Sequence, residues 1–566
     1  MLEIQTRAFN LMKLWCDTLL KYEVRNDSKY LDGALLCPAC HVVHGRIADL
    51  VLPLTTLWAH TGEERYLEAA VRLVNWAEFN LRRSDGSLHN DAGNQWKGTT
   101  AFFATALGDS LMLFGDRLPK ETAILWQMIF YRVSEFCYSY FDHASPNINY
   151  FAGAAAELAL AWKYFGEQRF LDKANYWEQF CREHFDENGL FYGEGHPVNI
   201  TSAKGCFAID MGYNLEESLP LLLRHAELVN DAEKLDFYKA RLLDHLEFLL
   251  PDGAIDNSFG SRHNKWTYWG SRTSDGLIEG LALVMNEPGF AKACERVLSL
   301  WETCTNDGLL GLPMASEAGE PTCLHHSFCH SKALAALVNE NICDLQKSNI
   351  VLIPREHIYG FKTFQKGNVR LVSVGGWRAT FNSSDLIFYA GADNGGGSMT
   401  LLWHEKIGPI CAATMQRYVP SEPLNMQFLR SSDVSPCMTP QLIIDGKQTV
   451  ADRSAKISAS GDENCTEIQT FGSGWSAVYR FTPNEININA EVAKSAVLSF
   501  PIICSKNTKA ETGDGKLRLA NGLTISADRP IEADTVSRIF NQVGGFEYIP
   551  IEIKFDKRIE LKITIE

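Results

Sequence analysis

The sequence predicts an α+β chain in two parts: a ring of helical hairpins over residues 1–345 and an antiparallel β-sandwich over residues 350–566. Three observations predict it. Apolar residues recur at helical spacing through the first part. A Gly turn recurs between those helical runs. After Ser348 the pattern switches to short period-2 alternation.

The helical spacing is clearest in Leu50–Thr61, Tyr66–Leu81, Gly153–Phe165 and Ser331–Val338. Between such runs come Asp85-Gly86-Ser87-Leu88, Asn188-Gly189-Leu190, Asp252-Gly253-Ala254-Ile255 and Asp307-Gly308-Leu309-Leu310. With the Phe141–Tyr150 loop standing where one unit is skipped, the period is about 50–60 residues, the length of one helical hairpin and its loop. Asp-Gly is a common turn dipeptide, but here each copy follows a helical run and precedes an apolar residue. In the second part the alternating stretches are Val369–Val374, Ser384–Ala390, Ser476–Phe481, Leu517–Leu519, Glu552–Phe555 and the closing run from Ile559 to Ile565. Gly, Asn and Asp turns separate them, as in antiparallel sheets.

With 566 residues, the chain is too long for one core. Hydrophobic residues make up 46% and charged residues 22%, which excludes collagen-like, disordered and disulfide-scaffold classes. A net charge of −16 argues against a nucleic-acid binder that works by neutralising phosphates. The fifteen cysteines are odd in number, and several (Cys16, Cys137, Cys181, Cys294) sit in apolar helical stretches, where a thiol acts as a small hydrophobe. No run of eighteen apolar residues exists, so no membrane span is expected. The start of the chain lacks a basic region followed by an apolar one. The protein is therefore either cytoplasmic, or periplasmic or secreted after removal of a signal; a monomer or weak homo-oligomer is expected.

The repeat loops carry many polar and aromatic residues: Asn147–Tyr150, Tyr192–His196, Asp210–Ser218 and Arg262–Arg272. If the hairpins form a ring, loops on one rim converge on a central pocket. There Trp266, Tyr268 and Trp269 offer flat faces for sugar rings, and Arg262 or Arg272 can clamp a carboxylate bidentately.

This layout, with the Asn149 loop, the run from Gly212 to Ser218 and the run from Trp266 to Arg272, resembles the heparinase II/III-like polysaccharide lyases, most of all polysaccharide lyase family 33. The resemblance spans nearly the whole chain. It implies an incomplete (α/α) toroid and β-elimination on a uronic-acid-containing polysaccharide such as hyaluronan, chondroitin or a bacterial uronate polymer. Elimination removes a weakly acidic C5 proton beside a carboxylate, so the site needs fixed donors for the developing charge, a base, and an acid for the leaving oxygen. Residue by residue, the resemblance implies Tyr213 as base, acid or both, and Asn149 as the amide that neutralises the carboxylate. His196 is the partner that takes the proton from the other face or lowers the Tyr213 pKa, and Arg272 binds a uronate carboxylate. Asn214, His263, Arg46, His44 and His404 complete the expected substrate-binding set.

The sequence departs from the wider pattern where relatives carry a Gly-His…His-Asp run. Here stands Asp393-Asn394-Gly395-Gly396-Gly397-Ser398-Met399, with His404 and Glu405 after it. No cofactor is expected, since neither zinc nor calcium has a clear ligand set. The Cys37-Pro38-Ala39-Cys40-His41 run with His44 has a C-x2-C start but no second pair at finger spacing. His325, His326 and His330 lack the Glu of a metalloprotease helix, and either line the pocket floor or serve the core. There is no phosphate loop, G-x-S-x-G elbow or dinucleotide fingerprint. Two other functions compete: a toroid glycoside hydrolase using two of Asp210, Glu216, Glu217 and Asp275, and a non-catalytic carbohydrate-binding protein. An acidic-polysaccharide partner also predicts a basic cleft, built from Arg46, Lys97, Lys204, Arg262, Lys265 and Arg272, in an otherwise acidic body.

Overall fold

A computed structural model describes residues 1–26, 30–91, 95–143, 147–195, 197–271, 273–342, 351–422, 426, 437–533 and 538–566. The helices run α1 (Glu3–Leu19), α2 (Val51–Thr61), α3 (Glu64–Trp76), α4 (Thr100–Phe114), α5 (Lys120–Tyr140), α6 (Asn149–Phe165), α7 (Gln168–Arg182), α8 (Met211–Tyr213), α9 (Leu219–Leu228), α10 (Ala232–His245), α11 (Leu277–Val284), α12 (Pro288–Thr303) and α13 (Leu324–Asn339).

Two kinds of helix alternate, and composition decides which is which. In α6 every residue from Phe151 to Ala161 is buried, so this helix has neighbours on all sides. Its hairpin partner α7 buries only Phe170, Ala174, Trp177, Glu178 and Cys181, one stripe at helical spacing. The inner helices α2, α4, α6, α9, α11 and α13 touch in that order, each backed by an outer helix, with α1 behind α13. The expected toroid is there, and its circuit goes further than expected, because α13 also touches α2.

The recurring turn is a structural repeat. After α3, α7, α10 and α12, Gly86, Gly189, Gly253 and Gly308 take φ of 92°, 79°, 90° and 78°. Each turn closes a short antiparallel contact: Arg82 with Leu88, Phe185 with Phe191, Leu249 with Ile255, and Thr305–Asn306 with Leu309–Leu310. At Gly253 a side chain is excluded twice over, by the left-handed backbone and by the Arg296 carbonyl 2.3 Å from where its Cβ would stand.

The second part is antiparallel throughout its named pairs. Gly360–Phe364, Val369–Val374, Trp377–Asn382, Ser398–His404 and Gly408–Ala412 form a five-stranded sheet. An eleven-stranded sheet is built around two long strands, Glu485–Ser499 and Ile551–Ile565, whose pairing bulges between Glu491 and Ser495. The two sheets share one core, in which Val372, Val374, Trp377 and Phe381 meet Ile468, Ala477, Tyr479, Phe481 and Ile488. Inward and outward residues alternate along Trp475–Phe481, as a half-buried strand requires.

One expected strand is not one. Ser384–Ala390 is irregular. Its partners are side chains and backbone of the toroid instead of a neighbouring strand: the Asp385 carboxylate accepts from the Ser202 hydroxyl and from the Lys204 backbone N–H. Alternation alone does not separate a strand from a half-buried loop.

The two parts are joined through buried polar groups. The Ser258 hydroxyl donates to Thr400 Oγ1 at 2.9 Å, Asn394 Nδ2 donates to the Ser258 carbonyl at 2.5 Å, and the Thr380 hydroxyl donates to Asp256. The Asp252 carboxylate, in one of the repeat turns, accepts from both Tyr268 Oη and Trp403 Nε1 at 2.6 Å.

Candidate active site

The site is assembled around Asp210. Its Oδ1 accepts from the Tyr213 backbone N–H at 3.1 Å and starts α8. Its Oδ2 accepts from the Arg262 backbone N–H and from Asn257 Nδ2, both at 2.9 Å, and so ties the helix start to the 257–266 loop. Between α8 and α9 the helix widens into an i→i+5 turn over Asn214–Ser218, a local irregularity common at functional sites. This turn sends two consecutive carboxylates to different places. Glu216 accepts from the Ser271 backbone N–H and stands 3.5 Å from His330 Nε2. Glu217 accepts from Asn149 Nδ2 at 2.7 Å and from Arg46 Nη1 at 3.3 Å.

Tyr213 stands at the centre. Lys265 Nζ donates to its hydroxyl at 3.1 Å, and Thr273 Oγ1 lies 3.5 Å away. Trp266 meets the phenol ring edge-on at 5.4 Å, and the Arg262 guanidinium lies 5.3 Å from the ring centre. Burial raises the Tyr213 hydroxyl well above its usual value, with Arg262 opposing. Burial and the neighbouring Arg262 bring Lys265 down to about 8.

The sandwich side closes the cluster. Glu422 accepts from Arg262 Nη2 and from the Tyr389 hydroxyl, both at 2.6 Å, and pairs with Lys265. Burial works against its charge, but Lys265 and Arg262 outweigh that and hold it well below the usual carboxylate range. Phe388 lies under the Arg262 guanidinium at 4.7 Å. On the toroid side Glu194 receives Arg262 Nη1 at 3.3 Å, and burial pushes its carboxyl up to about 8.

A second group continues inward from Thr273, whose carbonyl accepts from Arg46. Arg46 also donates to Asp49 and Asp275, and Asp275 accepts from Lys332 Nζ at 2.7 Å. Burial raises Glu217, opposed by Arg46. The structure thus links Tyr213, Thr273, Arg46, Glu217 and Asn149 in one continuous buried network.

Of the expected residues, Tyr213, Asn149, Arg262, Trp266 and Arg46 come together here. Others do not. Asn214 Nδ2 donates to the Phe191 carbonyl at 2.7 Å and faces His245, strapping two loops together. Trp269, expected as a stacking face, lies against His326 at 5.1 Å and donates to Cys304 Sγ; its faces are spent on the core. Tyr268 is spent on Asp252. His263 is tied to the Gly260 carbonyl at 2.9 Å, and burial lowers it to about 4. His404 packs edge-on against Trp377 at 4.4 Å within the sandwich, and burial lowers it to about 4. His44 is fully buried and turned toward a group of cysteines instead of toward Tyr213. His196 and Arg272 lie outside the described residues.

The expected basic cleft is a mixed one. Arg262 and Lys265 converge on Glu422, and Arg46 lies among carboxylates. Lys97 pairs with Asp85, and Lys204 donates to the Ser383 and Ala455 carbonyls. The carboxylates weighed for a hydrolase are similarly engaged, Asp210 and Glu216 by backbone N–H groups and Asp275 by Arg46 and Lys332. Sequence reasoning missed Glu194, Glu422, Tyr389 and Phe388. Glu194 carried a signal, since it lies in the Tyr192–His196 loop; the other three come from the sandwich, far along the chain.

Comparison with known proteins agrees with this architecture. The ulvan lyase N-terminal domain family model matches residues 12–356, and the ulvan lyase C-terminal domain model matches residues 361–566. A broad-specificity ulvan lyase of Formosa agariphila is 32% identical over 607 residues, covering 100% of this chain and 94% of that protein. Among solved structures, heparinase III has a TM-score of 0.55 at 11% identity, covering 100% of this chain and 85% of that one. The Streptomyces coelicolor chondroitin AC lyase, in complex with chondroitin sulphate, has 0.53 at 11% identity, covering 99% and 79%. At such identities these two structures show the shared fold. The chain belongs to the ulvan lyase family, and it is a polysaccharide lyase of heparinase-like architecture.

Proposed function

We propose that the chain cleaves a uronate-containing polysaccharide by β-elimination at Tyr213, with ulvan a nearer substrate than hyaluronan or chondroitin. The observation that carries this reading is the Tyr213 hydroxyl held between Lys265 and Thr273 beneath Arg262. A tyrosine so deeply buried keeps its proton at neutral pH and can pass it to the departing glycosidic oxygen. Lys265 and Arg262 then stabilise the phenolate left behind. Arg262 and Lys265, held by Glu422, are the cations beside Tyr213 that would meet a uronate carboxylate.

Asn149 and Glu217 form the second element. The Asn149 amide is one donor for the uronate carboxylate, and Glu217, raised by burial, supplies another when protonated. His196, two residues beyond Glu194 in the chain, is the base in this reading, and Arg272, next to Thr273, binds a uronate carboxylate. The preference for ulvan is supported by the 32% identity to the Formosa agariphila enzyme over the whole chain.

The experiment is a panel of ulvan, hyaluronan and chondroitin, read by the ultraviolet absorbance of unsaturated ends. The expected result is a strong signal on ulvan and a weak one on the others. Reducing ends released without unsaturation would overturn the elimination, and a preference for hyaluronan or chondroitin would overturn the substrate.

A further inference from the structure

The C-x2-C run that lacked a partner in the sequence has one in the fold. Cys37 and Cys40 sit on a tight turn closed by the His41 N–H donating to the Cys37 carbonyl at 2.9 Å, with His41 at φ 58°. Cys323, immediately before α13, comes to the same point from the far end of the toroid. The three sulfurs form a near-equilateral triangle: Cys37 to Cys40 3.6 Å, Cys37 to Cys323 3.7 Å and Cys40 to Cys323 3.5 Å. A ring nitrogen of His44 completes the group, and the four ligand atoms all lie within 4.8 Å of one another.

We propose that Cys37, Cys40, Cys323 and His44 bind a structural zinc ion. A tetrahedral site with Zn–S bonds of about 2.3 Å has sulfur–sulfur edges of about 3.8 Å, close to those observed. A disulfide needs about 2.05 Å, and pairing two of these thiols would strand the third. The imidazole is set as a zinc ligand is usually set: His44 Nδ1–H donates to Asp91 Oδ1 at 3.2 Å, while the fully buried Nε2 has no hydrogen-bond partner among the described residues. A carboxylate behind the ring fixes the tautomer and turns the other nitrogen to the metal. Three thiolates and one imidazole form a closed set, with no position left for a substrate or a reactive water. Binding releases a proton from each thiol.

The site closes the ring. It joins the 37–44 loop, which leads to Arg46, to the start of the last inner helix, across more than 280 residues of chain. Zinc here therefore holds the two ends of the toroid together and, through both of them, Arg46 and Lys332 beside Asp275.

The test uses the full chain, purified untagged from zinc-supplemented cells without chelators. Elemental analysis and native mass spectrometry are expected to find about one zinc per chain, and cobalt exchange to give thiolate-to-cobalt charge-transfer and tetrahedral visible bands. Cys323→Ser is expected to lose the metal. If that variant does not fold, Asp91→Asn keeps all four ligands and is expected to weaken zinc by about 10–100-fold in chelator competition. Full-length protein without stoichiometric metal, full retention of zinc by Cys323→Ser, unchanged affinity in Asp91→Asn, or a disulfide among the three cysteines would each overturn the proposal.

Discussion

Lys265 Nζ stands 3.1 Å from the Tyr213 hydroxyl, and both side chains are shut away from solvent. An ammonium in that position favours the phenolate, while burial and the neighbouring Arg262 act against the ammonium's own charge. For the proposed elimination, Tyr213→Phe is expected to cut kcat by about 10²–10⁴-fold. The fold should persist, because only the hydroxyl's modest hydrogen bonds are lost. Turnover on ulvan followed by unsaturated-end absorbance measures it; near-normal turnover would refute a role for the tyrosine.

Lys265 titrates near 8, so the wild-type rate is expected to fall as pH rises through that value and the ammonium is lost. Lys265→Arg keeps the charge and should move this alkaline limb upward. Lys265→Met should lower kcat by about 10²–10³-fold, the usual loss for one fixed donor, and abolish the limb. A pH profile identical in all three proteins would remove Lys265 from the mechanism.

Glu157 offers a stability test away from the chemistry. It is fully buried in α6, accepts from Ser134 Oγ at 2.6 Å, and burial pushes it from 4.5 to about 7. The folded state thus holds this proton more tightly than the unfolded state. The contribution is complete below about pH 4.5 and is lost as pH rises through about 7, a change on the order of 3 kcal/mol. Glu157→Gln is expected to flatten that part of the curve of unfolding free energy against pH, measured by denaturant titration. An unchanged slope would contradict it.

A methyl group at Gly212 would stand 2.6 Å from Trp266 Nε1. Gly212→Ala is therefore expected to displace the indole from the edge of Tyr213. We expect a stability loss of about 1–3 kcal/mol and a disproportionate fall in kcat. Thermal unfolding and steady-state kinetics on the same sample separate the two; wild-type kinetics would show that the indole tolerates the shift.

Much of the fold was legible because it is written in local pattern. Continuous apolar stretches marked inner helices such as α6, and the glycines at 86, 189, 253 and 308 marked the turns. The candidate site was legible where its residues lie in the polar and aromatic segments between the toroid helices. Tyr213 and the 262–266 loop are drawn together by Asp210, a short-range carboxylate that the sequence displays but whose job as a tie it does not. Glu422, Tyr389 and Phe388 arrive through the packing of the sandwich on the toroid, which no periodicity reports. Cys323 is hidden for the same reason: closing the ring is a global event. Conversely, Asn214, Tyr268 and Trp269 look functional in sequence because they are polar or aromatic and lie in a loop, yet buried loops need such residues to satisfy their own backbone and fill their own gaps.

The hold of Trp403 on Asp252 fastens the sandwich to a turn of the toroid. Swinging the sandwich away from the toroid would strip the buried Asp252 carboxylate of Trp403, a donor worth about 1.5–3 kcal/mol, and would break the Ser258–Thr400, Asn394–Ser258 and Thr380–Asp256 contacts with it, so the halves form a single frame and not a jaw. For the proposed reaction, adapting the enzyme to another polymer then means recutting the loops around Tyr213 while leaving Asp252 and Trp403 alone.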